Sequence, residues 1–209
     1  MPVGFTNEGY PYIGDKDAPI VLEEWSDYLC PYCGRHFRQT LPALLERYVA
    51  TGEVLLVFRD FPLKSLHPLA PAGHAAAACM GEQGASLYWA MHDELFKRQK
   101  EWKNAADPDA FLVNVAEEIG ADHNKVRDCM DKGGQLARVE QNVALGRSMG
   151  FHGTPSFRFR ADDDRKYEFA GAHPIAYFSL YADALLEGRE PPGTEQETAE
   201  SPFWASAEG

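Results

Sequence analysis

Cys30 and Cys33, separated by Pro31 and Tyr32, are the residues of this 209-residue sequence whose type and spacing most clearly indicate chemistry. They lie where a strand-like run, Ile20 to Trp25, is followed by a helical pattern. Cys30 would sit at the helix N-terminus, where unpaired N–H groups and the helix dipole stabilise a thiolate, and Pro31 suits the first helical position. The pair predicts thiol–disulfide exchange, since a thiol of lowered pKa is a nucleophile near neutral pH and a good leaving group.

Two other interpretations of the C-x-x-C spacing compete with redox chemistry. Half of a zinc site is one, but Cys79, Cys129 and the scattered histidines include no second clustered pair. His36, three positions after Cys33, could complete a three-ligand set, although a histidine there is more often a packed or solvated helix residue. Two inert buried thiols are the other interpretation, which the strand-to-helix position disfavours. We predict no metal and no cofactor.

The pattern around the motif predicts a βαβ unit. Ile20 to Trp25 is the first strand, and Val54 to Phe61 is apolar and β-branched over the length of a second. Between them, apolar residues at spacings of three and four predict one helix from Pro31 to Gly52, kinked at Pro42. A strand, helix and strand within about 40 residues imply a parallel pair of strands.

Helix formers dominate from about residue 65 to residue 149, which predicts an all-helical insert. A hairpin of Ser156 to Arg160 and Lys166 to Ala170 follows, and then a helix from Pro174 to Leu186. The helices predicted within the insert run from His67 to Cys79, from about Leu87 to Lys97, from Phe111 to Ile119 and from Leu136 to Met149. Residues 10–64 and 150–188 would form one domain around the insert, and residues 189–209 a flexible tail.

Composition limits the partners and the location. The sequence has 20 Lys and Arg against 32 Asp and Glu, a net charge of −12, so we predict no nucleic-acid partner. The longest apolar runs, Val54 to Phe58 and Ala75 to Met80, are far shorter than the roughly 20 residues of a membrane span, and no membrane insertion by this chain is expected. No basic segment and apolar stretch precede Glu8, hence no signal peptide is expected. That fits a cytoplasmic protein, or one whose leader or anchor is not part of this chain.

Four segments carry more specific motifs than the cysteine spacing alone. They are Glu23 to Cys33, Thr40 to Leu44, Phe58 to Leu63 and Gly153 to Phe157. Together, over about residues 10 to 187, they resemble the DsbA-like thiol:disulfide oxidoreductases of the thioredoxin superfamily. The resemblance implies an α/β, thioredoxin-like fold, βαβ then ββα, with the helical insert between the halves. A minimal glutaredoxin is excluded, because Pro155 lies 122 positions after Cys33.

The resemblance also implies roles for individual residues. Cys30 would be the exposed nucleophile and Cys33 the buried resolving thiol. Thr154 and Pro155 resemble a loop whose cis proline faces the cysteines and offers backbone hydrogen bonds to a peptide. By itself, Pro155 is as well explained as a trans proline that opens a strand.

A buried acid and the residues between the cysteines complete the implied site. Glu24, six residues before Cys30, would accept the proton of Cys33, with Glu23 as a competitor and a solvent-facing acid as the alternative for either. Pro31 and Tyr32 would tune the potential. Because Tyr32 supplies less positive charge than a histidine, we expect an oxidase less oxidising than the extreme members, with a reductase or isomerase as the alternative.

The remaining expectations concern Cys79, Cys129 and the partners. In an oxidising compartment these cysteines could bridge two helices of the insert; otherwise each is a small buried hydrophobe. The implied partners are unfolded or partly folded proteins with cysteines, and a redox partner that resets Cys30 and Cys33. We expect an extracytoplasmic location, periplasmic or secreted, with the cytoplasm as the alternative. A holdase that binds peptides without redox turnover is the competing function from another class.

Overall fold

A computed structural model of the protein describes residues 1–133 and 135–192. Within these ranges one mixed sheet has the strand order β1-β2-β4-β3-β5-β6. The strands are β1 (Val3–Phe5), β2 (Pro11–Ile13), β3 (Ile20–Ser26), β4 (Val54–Asp60), β5 (Ser156–Ala161) and β6 (Lys166–Ala170). The helices are α1 (Pro31–Gln39), α2 (Leu41–Leu44), α3 (Ala70–Gly81), α4 (Ala85–Lys97), α5 (Gln99–Lys103), α6 (Pro108–Ile119), α7 (His123–Asp131), α8 (Leu136–Ser148) and α9 (Ile175–Leu186).

The central strands β3 and β4 confirm the predicted thioredoxin-like α/β fold. They pair in parallel, from Ile20 opposite Val54 to Ser26 opposite Asp60, with α1 in the connection. β5 pairs antiparallel with β3 on its other side, and β6 pairs with β5. All residues of β4 are buried, as expected for a strand covered on both faces. The carboxyl end of β3 therefore emerges at the middle of the sheet, where α1 begins.

The helix predicted from Pro31 to Gly52, with a kink at Pro42, is not continuous but is interrupted close to the predicted kink. The structure has α1 up to Gln39, an interruption at Thr40, and then α2, which continues into a π-helical turn at Leu45–Val49. The cause is Pro42, which has no N–H for the preceding turn and fits only the first turn of a new helix. At this break the Thr40 hydroxyl donates to the His173 carbonyl at 2.8 Å, which connects the break to the loop before α9.

The N-terminal strands β1 and β2 were not predicted, nor were α5 and α7. β1 and β2 have three residues each, too few for a period-2 pattern, and depend on pairing with each other and with β4. α5 and α7 are short and mostly polar. The indole of Trp89 in α4 donates to the Tyr12 carbonyl at 3.0 Å, which ties the helical segment to β2.

The helices between β4 and β5 pack on the sheet and on the cysteine motif. One apolar cluster includes Tyr28, Cys30 and Cys33 together with Phe96 and Trp102 from the helical segment. The predicted domain boundaries at residues 65 and 149 stay a prediction. No helix among the described residues has the length and apolar character to span a lipid bilayer. Residues 189–192 of the predicted tail form no helix or strand, and residues 193–209 lie outside the described residues.

Cys79 in α3 and Cys129 in α7 are joined by a disulfide in the structure. Changing both to Ala should lower the free energy of unfolding by about 4 kcal/mol, because the bond closes a loop with a sequence separation of 50 in the unfolded chain. Urea unfolding of oxidised wild type and variant measures the difference. Alkylation of Cys30 should keep its wild-type rate. Two free thiols at these positions in oxidised protein would contradict the bridge.

Candidate functional site

The two thiols of the motif occupy different environments at the junction of β3 and α1. Cys30 occupies the N-cap position of α1, and Pro31 lies in the first turn of that helix. The Cys30 thiol donates to the Thr154 carbonyl at 3.3 Å, and the Asp27 N–H donates to Cys33 Sγ at 3.5 Å. Cys30 is only 4% exposed and Cys33 is 0% exposed. The expectation of an exposed Cys30 is therefore wrong, because the Thr154 loop and the helical segment cover most of the residue.

These environments separate the acidities of the two thiols. A hydrogen bond from the Cys33 thiol and the N–H groups of Cys33 and Tyr32 at the start of α1 outweigh burial and lower the pKa of Cys30 to about 6. Burial, reinforced by the interaction with Cys30, raises the pKa of Cys33 well above that of an ordinary thiol. Near neutral pH the pair therefore holds a thiolate at Cys30 and a thiol at Cys33. That is the charge distribution that directs nucleophilic attack to one sulfur.

The loop before β5 brings Thr154 and Pro155 to the motif. The peptide bond between them is cis. The Pro155 carbonyl accepts from the Gly171 N–H at 2.8 Å, while the Thr154 carbonyl faces Cys30 Sγ. A loop about 120 residues away in sequence thus supplies a backbone acceptor at the nucleophile. Tyr32, in the first turn of α1, is 58% exposed, and the Arg35 guanidinium lies 5.1 Å from its ring centroid.

Asp27 organises the motif and was missed in the sequence. Its carboxylate accepts from the Leu29 N–H at 2.7 Å, the Leu63 N–H at 2.8 Å and, at 2.8 Å, His67 Nδ1. The residue thereby joins the turn before Cys30 to the segment after β4. An Asp at the end of a predicted strand was an available signal, because Asp side chains commonly accept from the N–H two residues on.

Gln99 at the start of α5 is the second missed residue. Its side-chain N–H groups donate to the Tyr28 carbonyl at 2.7 Å and the Cys30 carbonyl at 3.1 Å. A Cβ atom at Gly34 would collide with the Gln99 amide oxygen, so glycine allows this approach. The helical segment therefore holds the backbone of the cysteine motif directly. No local pattern in the sequence marks Gln99 for this contact.

Glu23 and Glu24 are both buried, which overturns the solvent-facing alternative for either. Glu23 lies on the face that carries Arg59, Arg158 and Arg160, whose Nε atoms lie 3.0, 2.7 and 3.1 Å from its carboxylate oxygens. Burial alone would raise the pKa of Glu23, but the Arg59 charge, followed by those of Arg158 and Arg160, holds it below its ordinary value. Glu23 is therefore the shared, buried carboxylate of an ion cluster with three arginines.

Glu24 lies on the opposite face of β3, toward α1, because successive strand side chains alternate. Its carboxylate oxygen Oε2 is 3.5 Å from His36 Nε2. Burial would raise the pKa of Glu24, but His36 and, to a smaller extent, His92 and Ser26 hold it below its ordinary value. Of the two acids, Glu24 is the one that shares a face of the sheet with the cysteine-bearing helix.

His36 thus pairs with an acid and not with the cysteines. Within residues 1–133 and 135–192 no three His, Cys, Asp or Glu side chains are grouped in a way that could hold a metal ion.

Comparisons with known proteins cover most of the chain. A family model described as Thioredoxin matches residues 6–170. The chain is 32% identical over 192 residues to the Na(+)/H(+) antiporter NhaA 3 of Salinispora tropica, covering 90% of this chain and 28% of that protein. It is 30% identical over 117 residues to "Probable disulfide bond formation protein D" of Bacillus anthracis, covering 54% and 53% of the two chains. The chain therefore spans less than two thirds of either relative.

The crystal structure of Wolbachia pipientis alpha-DsbA1 has a similar fold. The TM-score is 0.76 at 22% identity, over 88% of this chain and 94% of that one.

The acidity of Cys30 can be measured by alkylation. The iodoacetamide rate of reduced protein should rise with pH through a midpoint near the Cys30 pKa of about 6 and then level off, with Cys33 unlabelled. Cys33→Ala should move the midpoint upward, since it removes the thiol that donates to Cys30, whereas Cys33→Ser keeps a donor and should move it less. Equal labelling of both cysteines, or a midpoint near the ordinary thiol value of about 8.5, would reject the assignment.

Proposed function

The chain belongs to the thioredoxin family, and from that premise we propose that it exchanges disulfides with cysteines of protein substrates through Cys30 and Cys33. The resemblance to DsbA-like proteins is confirmed by the family model over residues 6–170 and by the fold. The observation that carries the proposal is the opposite displacement of the two thiol pKa values. Two thiols of equal acidity would not distinguish an attacking sulfur from a resolving one.

In the oxidising direction a substrate thiolate attacks Cys30 Sγ of the Cys30–Cys33 disulfide. The electron pair of the broken S–S bond goes to Cys33 Sγ, which takes up a proton because burial disfavours its thiolate. A second substrate thiolate then attacks the substrate sulfur of the mixed disulfide and expels Cys30 as a thiolate. The substrate loses two electrons and two protons. The protein gains both electrons and one proton, and the other proton enters the solvent.

Oxidation is the favoured direction, since a stabilised Cys30 thiolate favours the reduced protein and makes its disulfide a stronger oxidant. Pro31 and Tyr32 would tune that stabilisation, and reductase or isomerase action is the alternative within the same chemistry. In our proposal Thr154 and Pro155 bind the substrate backbone beside Cys30. A redox partner resets the pair. The Cys79–Cys129 disulfide supports an extracytoplasmic location, because persistent disulfides are rare in the cytosol.

Cys30→Ser tests the function with a reduced peptide that contains two cysteines. Wild-type oxidised protein should convert the peptide to its disulfide and become reduced in equal amount, and the variant should do neither. The equilibrium constant against glutathione then gives the direction of exchange. A holdase without redox chemistry would leave the peptide reduced, and both forms would suppress the aggregation of an unfolded protein equally. That result would replace the proposal.

Glu23→Gln and Glu24→Gln form a matched pair, because both change a buried acid of β3 to its amide. We propose that Glu24 exchanges the proton of Cys33. Glu24→Gln should then slow the step in which Cys33 reacts by about tenfold or more. Glu23→Gln should lower the free energy of unfolding by about 3 to 5 kcal/mol, since it removes the partner of three arginines. Single-turnover exchange and urea unfolding measure the two effects. The reverse pattern would assign the proton to Glu23.

A further inference from the structure

Ser26 lies on β3 between Glu24 and Asp27, the residue whose N–H contacts the buried thiol. Ser26 follows Glu24 by two residues on β3, so the two side chains share the face toward α1. Asp27, the next residue, donates its N–H to Cys33 Sγ at 3.5 Å, which places that sulfur at the end of the same strand. Ser26 is 0% exposed. The Ser26 hydroxyl is therefore buried on the side of β3 that carries Glu24 and faces the helix of Cys33.

The Ser26 hydroxyl has no fixed hydrogen-bond partner among the described residues. Ser26 Oγ is buried, and the described part of the chain offers it no hydrogen bond of good geometry. It nevertheless lies close enough to Glu24 and to Cys33 to lower the pKa of each. Because a serine hydroxyl rotates and both donates and accepts, it can turn from the thiol to the carboxylate. Buried polar groups without a fixed partner are rare and call for an explanation.

His36, the ion-pair partner of Glu24, is also a buried polar side chain without a hydrogen bond among the described residues. It is 1% exposed, and its ring lies 4.8 and 5.3 Å from the Phe157 and Phe178 ring centroids. Neither ring nitrogen has a hydrogen bond within the described residues, although Nε2 is at ion-pair distance, 3.5 Å, from Glu24. An imidazole in an apolar setting interacts with the nearby carboxylate with little screening.

From this arrangement we propose that Ser26 relays the proton between the Cys33 thiol and the Glu24 carboxylate, and that His36 is the positioning residue that keeps Glu24 able to accept it. The inference rests on the proposed exchange function and adds to it a route for the proton of Cys33. When Cys33 attacks the mixed disulfide at Cys30, its S–H proton passes to Ser26 Oγ while the Ser26 hydroxyl proton passes to Glu24. Cys33 forms the S–S bond, and the substrate sulfur leaves with the electron pair.

Other groups around Glu24 bear on its charge. His92 on α4 also favours the carboxylate form. The hydroxyls of Tyr28, before α1, and Tyr88, on α4, have their pKa values raised chiefly by burial and in small part by the Glu24 charge, so they stay neutral. β5 and α9 contribute the apolar rings that flank His36. His36 has the largest lowering effect on the pKa of Glu24 and is therefore the side chain whose removal should change Glu24 most.

An aromatic disulfide such as Ellman's reagent separates the two chemical steps in stopped flow. Reduced protein releases one coloured thiolate when Cys30 attacks and a second when Cys33 displaces it from Cys30. Ser26→Ala should slow the second phase by about tenfold and leave the first within about twofold. Ser179→Ala is the matched control, since Ser179 is also a buried serine with an unpartnered hydroxyl among the described residues but lies on α9. It should leave both phases within about twofold.

His36→Phe tests the path independently, and phenylalanine suits the neighbouring rings. Without the imidazole, burial should raise the pKa of Glu24, so its carboxylate would be lost as the pH falls through the neutral range. The second phase should then slow several-fold from about pH 8 to about pH 6, where wild type changes less. A second phase within twofold of wild type in Ser26→Ala, or an unchanged pH profile in His36→Phe, would overturn the relay while exchange stands. Absence of either phase in wild type would overturn the proposed function itself.

Discussion

Unequal stabilisation of negative charge on two neighbouring buried thiols is the constraint around which the rest of this structure is arranged. Both cysteines are nearly inaccessible, so burial alone would suppress ionisation at each. The start of α1 makes the two thiols different, because its unpaired N–H groups and the Cys33 thiol stabilise charge at Cys30, whereas the hydrogen bonds that reach Cys33 do not offset its burial. That asymmetry requires α1 to begin at the residue after Cys30, and Pro31 and the Asp27 turn fix that boundary.

Because side chains alternate along β3, the adjacent buried acids Glu23 and Glu24 lie on opposite faces of the sheet and have different partners. Glu23 balances arginines from β4 and β5 and so connects the three central strands through one carboxylate. A buried acid with such partners is expensive to neutralise, which makes it unsuited to exchanging protons. Glu24, one residue on, has His36 as its ion-pair partner at the longer distance of 3.5 Å. It lies on the face of β3 toward α1, the helix that carries Cys33.

The helical segment between β4 and β5 also holds the cysteine motif in place. Gln99 donates to two carbonyls of the cysteine loop, and the Tyr28 ring packs against Phe96 with centroids 4.9 Å apart. The cysteine motif is therefore held from both sides, by the Thr154 loop and by the segment that carries Gln99. In the proposed exchange these contacts limit the access of a substrate to Cys30, which is 4% exposed.

The sequence by itself determined the cysteine pair, its position between a strand and a helix, and the βαβ, helical and ββα order, because each depends on patterns within a strand or a few helical turns. It left Glu23 and Glu24 unresolved, since alternation says that they face apart but not which face meets α1. Only the tertiary structure decided that, together with the burial of Cys30 and the contacts of Asp27 and Gln99. These rest on partners such as Thr154 and Arg158, which lie 124 and 135 residues from the groups they meet and become neighbours only when the sheet is assembled.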